Sequence, residues 1–422
     1  MGPTLLFVVL IFSPAIAFGQ SSALSTAQLT TKDAVTVPIV IDQGRVVIDV
    51  DLILADGSTQ HVRGWVDNGT PNLQMTRRLA ALMSVTLACE GPVCSGTNPP
   101  NRSLAIAIGG MKISLASIRE ITAPATLPAL APGMSAEINI PSSILRNYDV
   151  LINFPDHEFT IALPGRLKFE GIKSKALIAE NGLIQISSKI ENKNYDLGLD
   201  LGTSASFLSS ELFDKLANAH PNWPRMTGAV GPFNSGELAG EITWPLMRLD
   251  RVQYGPLFLT DVAVTVVPKE SNPLQNRNRV ENAGAGALSS EALINYRVGL
   301  DYAHSAVYFD IGRTFRFPDF DVIGLILRPG IESGFTIVGV ADFEGAPAVA
   351  GVQPGDQLIA IDGVAIADST LGQVWSLLGG TPGQERKLTI ARSGKQFTVA
   401  ANVRHFLAEV PRDDNWRKLR RD

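Results

Sequence analysis

The sequence predicts a mostly β protein: two tandem β-rich lobes followed by a smaller α+β domain. Three observations carry this. Asp67-Asn-Gly-Thr-Pro-Asn-Leu-Gln-Met aligns without a gap on Asp200-Leu-Gly-Thr-Ser-Ala-Ser-Phe-Leu, each reading as an apolar strand, an Asp-x-Gly-Thr turn and then a short amphipathic helix. Further on, Leu145-Arg-Asn-Tyr-Asp-Val-Leu-Ile-Asn-Phe pairs with Leu293-Ile-Asn-Tyr-Arg-Val-Gly-Leu-Asp-Tyr, each followed by a polar turn and another strand. From about Phe317 the texture changes to glycine-punctuated strands around one apolar helix near residues 371–378.

The 422 residues are enough for two or three domains, and a hydrophobic share of 45% with 18% charged residues is globular rather than disordered. A net charge of −5 gives no reason to expect nucleic acid or an anionic membrane as a partner. Residues 1–20 read as an export signal: 5–12 are apolar, Ser13-Pro14 breaks the run, and Ala15-Ile16-Ala17 supplies small residues for cleavage. That run is short for a bilayer span of about 20 residues. The chain is therefore expected to be exported, to the periplasm or the medium, with no stable membrane span after cleavage. Residues 21–33 form a lead-in.

The first lobe is placed at residues 35–165 and the second at 172–315, with the polar stretch 164–175 as connector. Each half carries a hairpin around glycine between its two matched segments. In the first, Gly109-Gly110 joins 104–108 to 111–115; in the second, Gly255 joins 251–254 to 257–267. The only cysteines, Cys89 and Cys94, flank Glu-Gly-Pro-Val; in an exported chain this spacing suits a small structural disulfide rather than a metal site. No metal or cofactor is expected.

A lone Asp-Gly turn is usually structural. The duplication is what points to chemistry. Each half sets one carboxylate, Asp67 or Asp200, at the end of an apolar strand, with a glycine two residues on that lets backbone approach closely. Two such carboxylates facing each other share a proton, because like charges about 3 Å apart cannot both ionise. The pair is then acid and base together and can activate a water against a carbonyl.

At Val66-Asp67-Asn68-Gly69-Thr70 and Leu199-Asp200-Leu201-Gly202-Thr203 the chain resembles the aspartic proteases of the retropepsin and pepsin group, over about residues 35–315. The resemblance implies two retropepsin-like β-barrel lobes, a cleft between them and a peptide substrate. It makes Asp67 and Asp200 the catalytic pair, with Gly69, Thr70, Gly202 and Thr203 holding the two loops. The departures are specific. Asn68 and Leu201 stand where the family carries Thr or Ser, whose hydroxyls cross-link the loops. Pro141 and Ser289 stand where each lobe's late glycine is usual, and the first lobe's hairpin region has no tyrosine.

Gly351-Val-Gln-Pro-Gly-Asp-Gln-Leu-Ile-Ala-Ile-Asp-Gly363 looks like the PDZ domains attached to exported bacterial proteases, over about residues 318–405. Such domains bind peptides by adding a strand to a sheet edge. By resemblance the carboxylate cradle is Gly324, Leu325, Ile326 and Leu327, a segment that reads equally as a buried strand. Residues 406–422 read as a charged, solvated tail. Two functions follow: an exported aspartic endopeptidase acting on extended or unfolded protein, with the PDZ domain recruiting substrate or regulating access, or a catalytically degenerate peptide-binding protein of the same architecture.

Overall fold

In the computed structural model the described residues are 32–411 apart from 92, 98–103, 117, 119, 125–135, 236–238, 267–283, 313–319 and 331–333. The export signal at 1–20 and residues 412–422 of the tail lie outside them.

The repeated segments meet each other. Asp149–Asn153 and Tyr296–Asp301 pair antiparallel, with Asp149 opposite Asp301 and Asn153 opposite Arg297. They form the middle of a six-stranded sheet to which each half contributes three strands. The order runs Ala34–Pro38, Glu158–Ala162, Asp149–Asn153, Tyr296–Asp301, Ala306–Ile311, Ile172–Lys175. The register of the repeat thus becomes a pseudo-two-fold. Part of the stretch read as a connector, Ile172–Lys175, is the outer strand of this sheet, pairing with Ala306–Ile311.

Inside each lobe the aspartate-bearing strand pairs in parallel with a later one. Thr59–Asp67 runs beside Ile138–Pro141, and Lys193–Asp200 beside Gly286–Ser289. Both aspartate strands end in four buried residues, so each carboxylate is carried into the interior by its own strand. The helices after the Asp-x-Gly-Thr turns are equivalent too. Thr76 caps Arg77–Leu82 by accepting from Leu79 N–H, and Ser209 caps Ser210–Ala219 by accepting from Leu212 N–H, both at 3.3 Å. The glycine hairpins form as read. Gly109 and Gly110, at φ 55° and 84°, join Ala105–Ile108 to Met111–Ser114, in the left-handed region a two-residue turn requires.

Cys89 and Cys94 face each other across the Leu87–Glu90 and Val93–Gly96 hairpin and are disulfide-bonded. A loop this short constrains the unfolded chain modestly. Cys89→Ala/Cys94→Ala is expected to cost about 2 kcal/mol, read from the urea midpoint; a loss beyond about 5 kcal/mol would mean that the bridge supports more than its own hairpin.

One apolar cluster runs through both lobes. A second joins the C-terminal domain to the second lobe: Ala229, Val230, Phe233, Trp244 and Leu246 pack with Phe320, Leu325, Leu327 and the rest of that core. The C-terminal sheet has the order Leu325–Pro329, Phe335–Val340, Gln357–Ile361, Glu385–Arg392, Lys395–Asn402. The helix Leu371–Leu378 opens on a capping box of Thr370 and Gln373. The Asp362-Gly363 hairpin forms as expected, Ile361 opposite Val364. The tail starts later than the sequence suggests. Phe406, Leu407 and Val410 are buried, and Val410 N–H donates to Asp261 at 2.9 Å. The apolar residues in this charged stretch have a core to join.

Candidate active site

Asp67 and Asp200 end parallel strands in opposite lobes, Asp67 opposite Pro141 and Asp200 opposite Ser289. Each loop is braced on its own carboxylate: Gly69 N–H donates to Asp67 Oδ1 at 3.2 Å, and Gly202 N–H to Asp200 Oδ1 at 3.1 Å. The glycines also bring the loops together. A Cβ on Gly69 would overlap the Asp200 carboxyl, and one on Gly202 would overlap the Asp67 carboxyl. Each carboxylate therefore lies against the opposite loop's glycine, and any side chain there would push the pair apart. Asp67 is fully buried and Asp200 is 3% exposed.

The cross-link between the loops is carried by one side. Asn68 Nδ2 donates to Leu199 C=O at 2.8 Å, and its Oδ1 accepts from Leu201 N–H at 2.7 Å. One buried amide therefore grips the backbone on both sides of Asp200. Leu201 has no group to return the bond. Trp65 adds a second tie, its Nε1 donating to Gly202 C=O at 3.0 Å.

Thr70 and Thr203 are held from the segment after each return strand, again by repeat-related residues. Ser142 N–H and Oγ donate to Thr70 C=O at 2.9 and 3.0 Å, and Ser290 Oγ donates to Thr203 C=O at 3.0 Å. Ser289, in the usual place of glycine, is buried and bonded: its N–H donates to Ser206 Oγ at 3.0 Å and its Oγ to Ser204 C=O at 3.1 Å. Tyr254 lies beneath the second loop and donates its hydroxyl to Gly198 C=O at 3.1 Å. Burial, and secondarily the charge of Asp200, push its phenol well above the ordinary range, so it stays a donor. Sequence reading passed over Asn68 as a donor, Ser142 with Ser290, and Tyr254. Only the serine pair left a signal, occupying the same offset in both repeats.

Among the described residues, two cavities lie beside this centre. One, of about 820 Å³, meets the first loop at Pro71 and Asn72. The other, of about 440 Å³, is lined by Ser206, Arg248, Phe258, Ser289, Glu291 and Phe320 among others. Burial raises the Glu291 carboxyl from 4.5 to about 7, against the opposing pull of Arg248. A folded-state value above the unfolded one means that the folded protein binds more protons between them. Its contribution, at most about 3 kcal/mol, is full below the unfolded value and lost as pH rises through the folded one. Glu291→Gln is expected to flatten the fall in stability between about pH 4.5 and 7, checked by urea denaturation across that window. An equally steep fall in the variant contradicts this.

The cradle residues Gly324, Leu325, Ile326 and Leu327 are all buried, at the start of the outermost strand of the C-terminal sheet. Leu325 N–H donates to Ile323 C=O at 2.8 Å, and Leu327 N–H to Asn234 of the second lobe.

Residues 344–392 match the family model for PDZ domains. No curated protein matches the chain. Among solved structures, an aspartic proteinase from Irpex lacteus is similar over 66% of this chain and 98% of its own, at 13% identity and a TM-score of 0.39. The architecture is mostly β, with barrel-like lobes and a C-terminal PDZ domain.

Proposed function

We propose that the chain is an exported aspartic endopeptidase that hydrolyses peptide bonds in extended or unfolded protein, through a water activated by Asp67 and Asp200. The observation that carries this reading is the crossed packing of the two loops, in which each carboxylate lies against the glycine of the opposite Asp-x-Gly-Thr turn. A shared proton on such a pair gives acid and base in one site without metal or covalent intermediate. The disulfide suits an oxidising compartment, and among the described residues no helix is long and apolar enough to cross a membrane. The PDZ domain supplies a peptide-binding module, for substrate recruitment or regulation.

The burial of both aspartates favours a second reading, a peptide-binding protein without turnover. The experiment that separates them is incubation of the purified mature protein with unfolded casein from acidic to neutral pH, beside Asp67→Asn and Asp200→Asn. Fragments that disappear in both variants support the peptidase. Intact casein at every pH, from protein verified as folded, supports the binder.

A further inference from the structure

An outermost strand presents unpaired N–H and C=O groups to which an extended peptide can add. In the PDZ domain that strand is Leu325–Pro329, and its edge is already taken. Asn234 of the second lobe accepts from Leu327 N–H at 2.6 Å with Oδ1 and donates to Leu327 C=O at 2.9 Å with Nδ2. One side-chain amide thus makes the two bonds that an added strand would make. Asn234 is fully buried, and its Nδ2 also reaches Glu241 at 2.8 Å, which fixes the amide's orientation.

The helix Leu371–Leu378 lies along the same strand. Its last residue accepts from Ile323 N–H at 3.0 Å, and Ala367, just before its start, accepts from Gly334 N–H at 3.1 Å. The space between helix and strand is crossed by hydrogen bonds from the lobes. Asp42 of the first lobe accepts from Gly372 N–H at 2.9 Å in the helix's first turn. The next residue, Gln43, donates to the Asn234 carbonyl, and Asn234 holds Leu327. Gln43 and Gly44, at φ 53° and 73°, form the tight turn between Val40–Asp42 and Arg45–Ile53.

The far side of that turn touches the Asp200 loop. Gly44 C=O accepts from Ser290 Oγ, the hydroxyl that also donates to Thr203 C=O. Arg45 lies over the Trp65 ring, 5.3 Å from its centroid, and Trp65 Nε1 donates to Gly202 C=O.

We propose that the peptide groove of the PDZ domain is held shut by the protein's own lobes, and that an extended peptide adding to Leu325–Pro329 displaces Asn234, frees the 42–45 turn and so resets the Asp200 loop. The closed groove stands on the contacts alone. Its coupling to the loop deepens the peptidase reading above and rests on it for its functional meaning. Docked and undocked lobes are the two states whose balance a peptide shifts.

Two variants on opposite sides of the groove test it in the full chain. Asn234→Ala removes the strand mimic. Gly372→Ala places a methyl group against Asp42 and the Gln43 amide, while its own backbone is compatible with alanine and the helix gains propensity. In both, hydrogen exchange is expected to accelerate at least tenfold at residues 323–329 and at 200–206, with Asp149–Asn153 unchanged. Retention on an immobilised library of random octapeptides with free C-termini is expected to rise at least tenfold. Unchanged exchange at 323–329 with unchanged retention overturns the closed groove. Acceleration confined to 323–329 overturns the coupling. Casein cleavage followed alongside keeps the peptidase reading separate, because its absence in every protein leaves the exchange result standing.

Discussion

Asp67→Asn and Asp200→Asn are each expected to lower casein cleavage by about 10³-fold or more, with the fold intact. Asparagine nearly matches aspartate in shape and keeps an oxygen for the Gly69 and Gly202 N–H groups that now meet the two Oδ1 atoms. It also removes a charge from a centre where both carboxyl groups are shielded from water. The stability of either variant should therefore match or exceed that of the parent, so a loss of cleavage cannot be assigned to unfolding. What asparagine cannot do is share a proton as acid and base in turn. Because the two groups act as a unit, the double variant is expected to fall little below either single one. Equal activity in parent and variants, or additive losses, would count against a dyad.

Much of this centre was legible because the chain repeats it. The gap-free alignment of Asp67 on Asp200 sets Thr76 on Ser209, and both cap the following helix. Composition alone would not single out either residue, whereas the shared offset does. The matched segments 149–153 and 296–301 were readable as strands, but their pairing with each other was not, because nothing local in a strand names its partner. The same limit explains Ile172–Lys175. Its polar residues look like a connector, and it becomes a strand because Ala306–Ile311 offers it an edge. Docking of the PDZ domain was invisible for a related reason. Asn234 and Asp42 are ordinary turn residues by sequence, and their roles exist only once distant backbone groups, Leu327 and Gly372, come within reach.

The second large effect is expected at Asn68. Leucine at 201 suggested that the grip between the loops is lost, yet Asn68 makes both bonds from one side, to residues more than 130 positions away. Asn68 is fully buried, so Asn68→Ala leaves Leu199 C=O and Leu201 N–H without partners in the interior. At about 1–3 kcal/mol for each orphaned group, the expected loss is about 4 kcal/mol in urea denaturation. These two groups bracket Asp200, so the carboxylate also loses its fixed position, and cleavage should fall by about 10²-fold, as for a displacement of about 1 Å. Asn68→Thr separates grip from bulk. A single hydroxyl can donate to Leu199 C=O and accept from Leu201 N–H, so this variant should recover most of the stability and keep cleavage within about tenfold of the parent. A threonine variant as impaired as the alanine one would show that only the longer amide spans the gap. An alanine variant as stable as the parent would mean that the loops are held by Trp65 and by the crossed glycines, with Asn68 filling space between them.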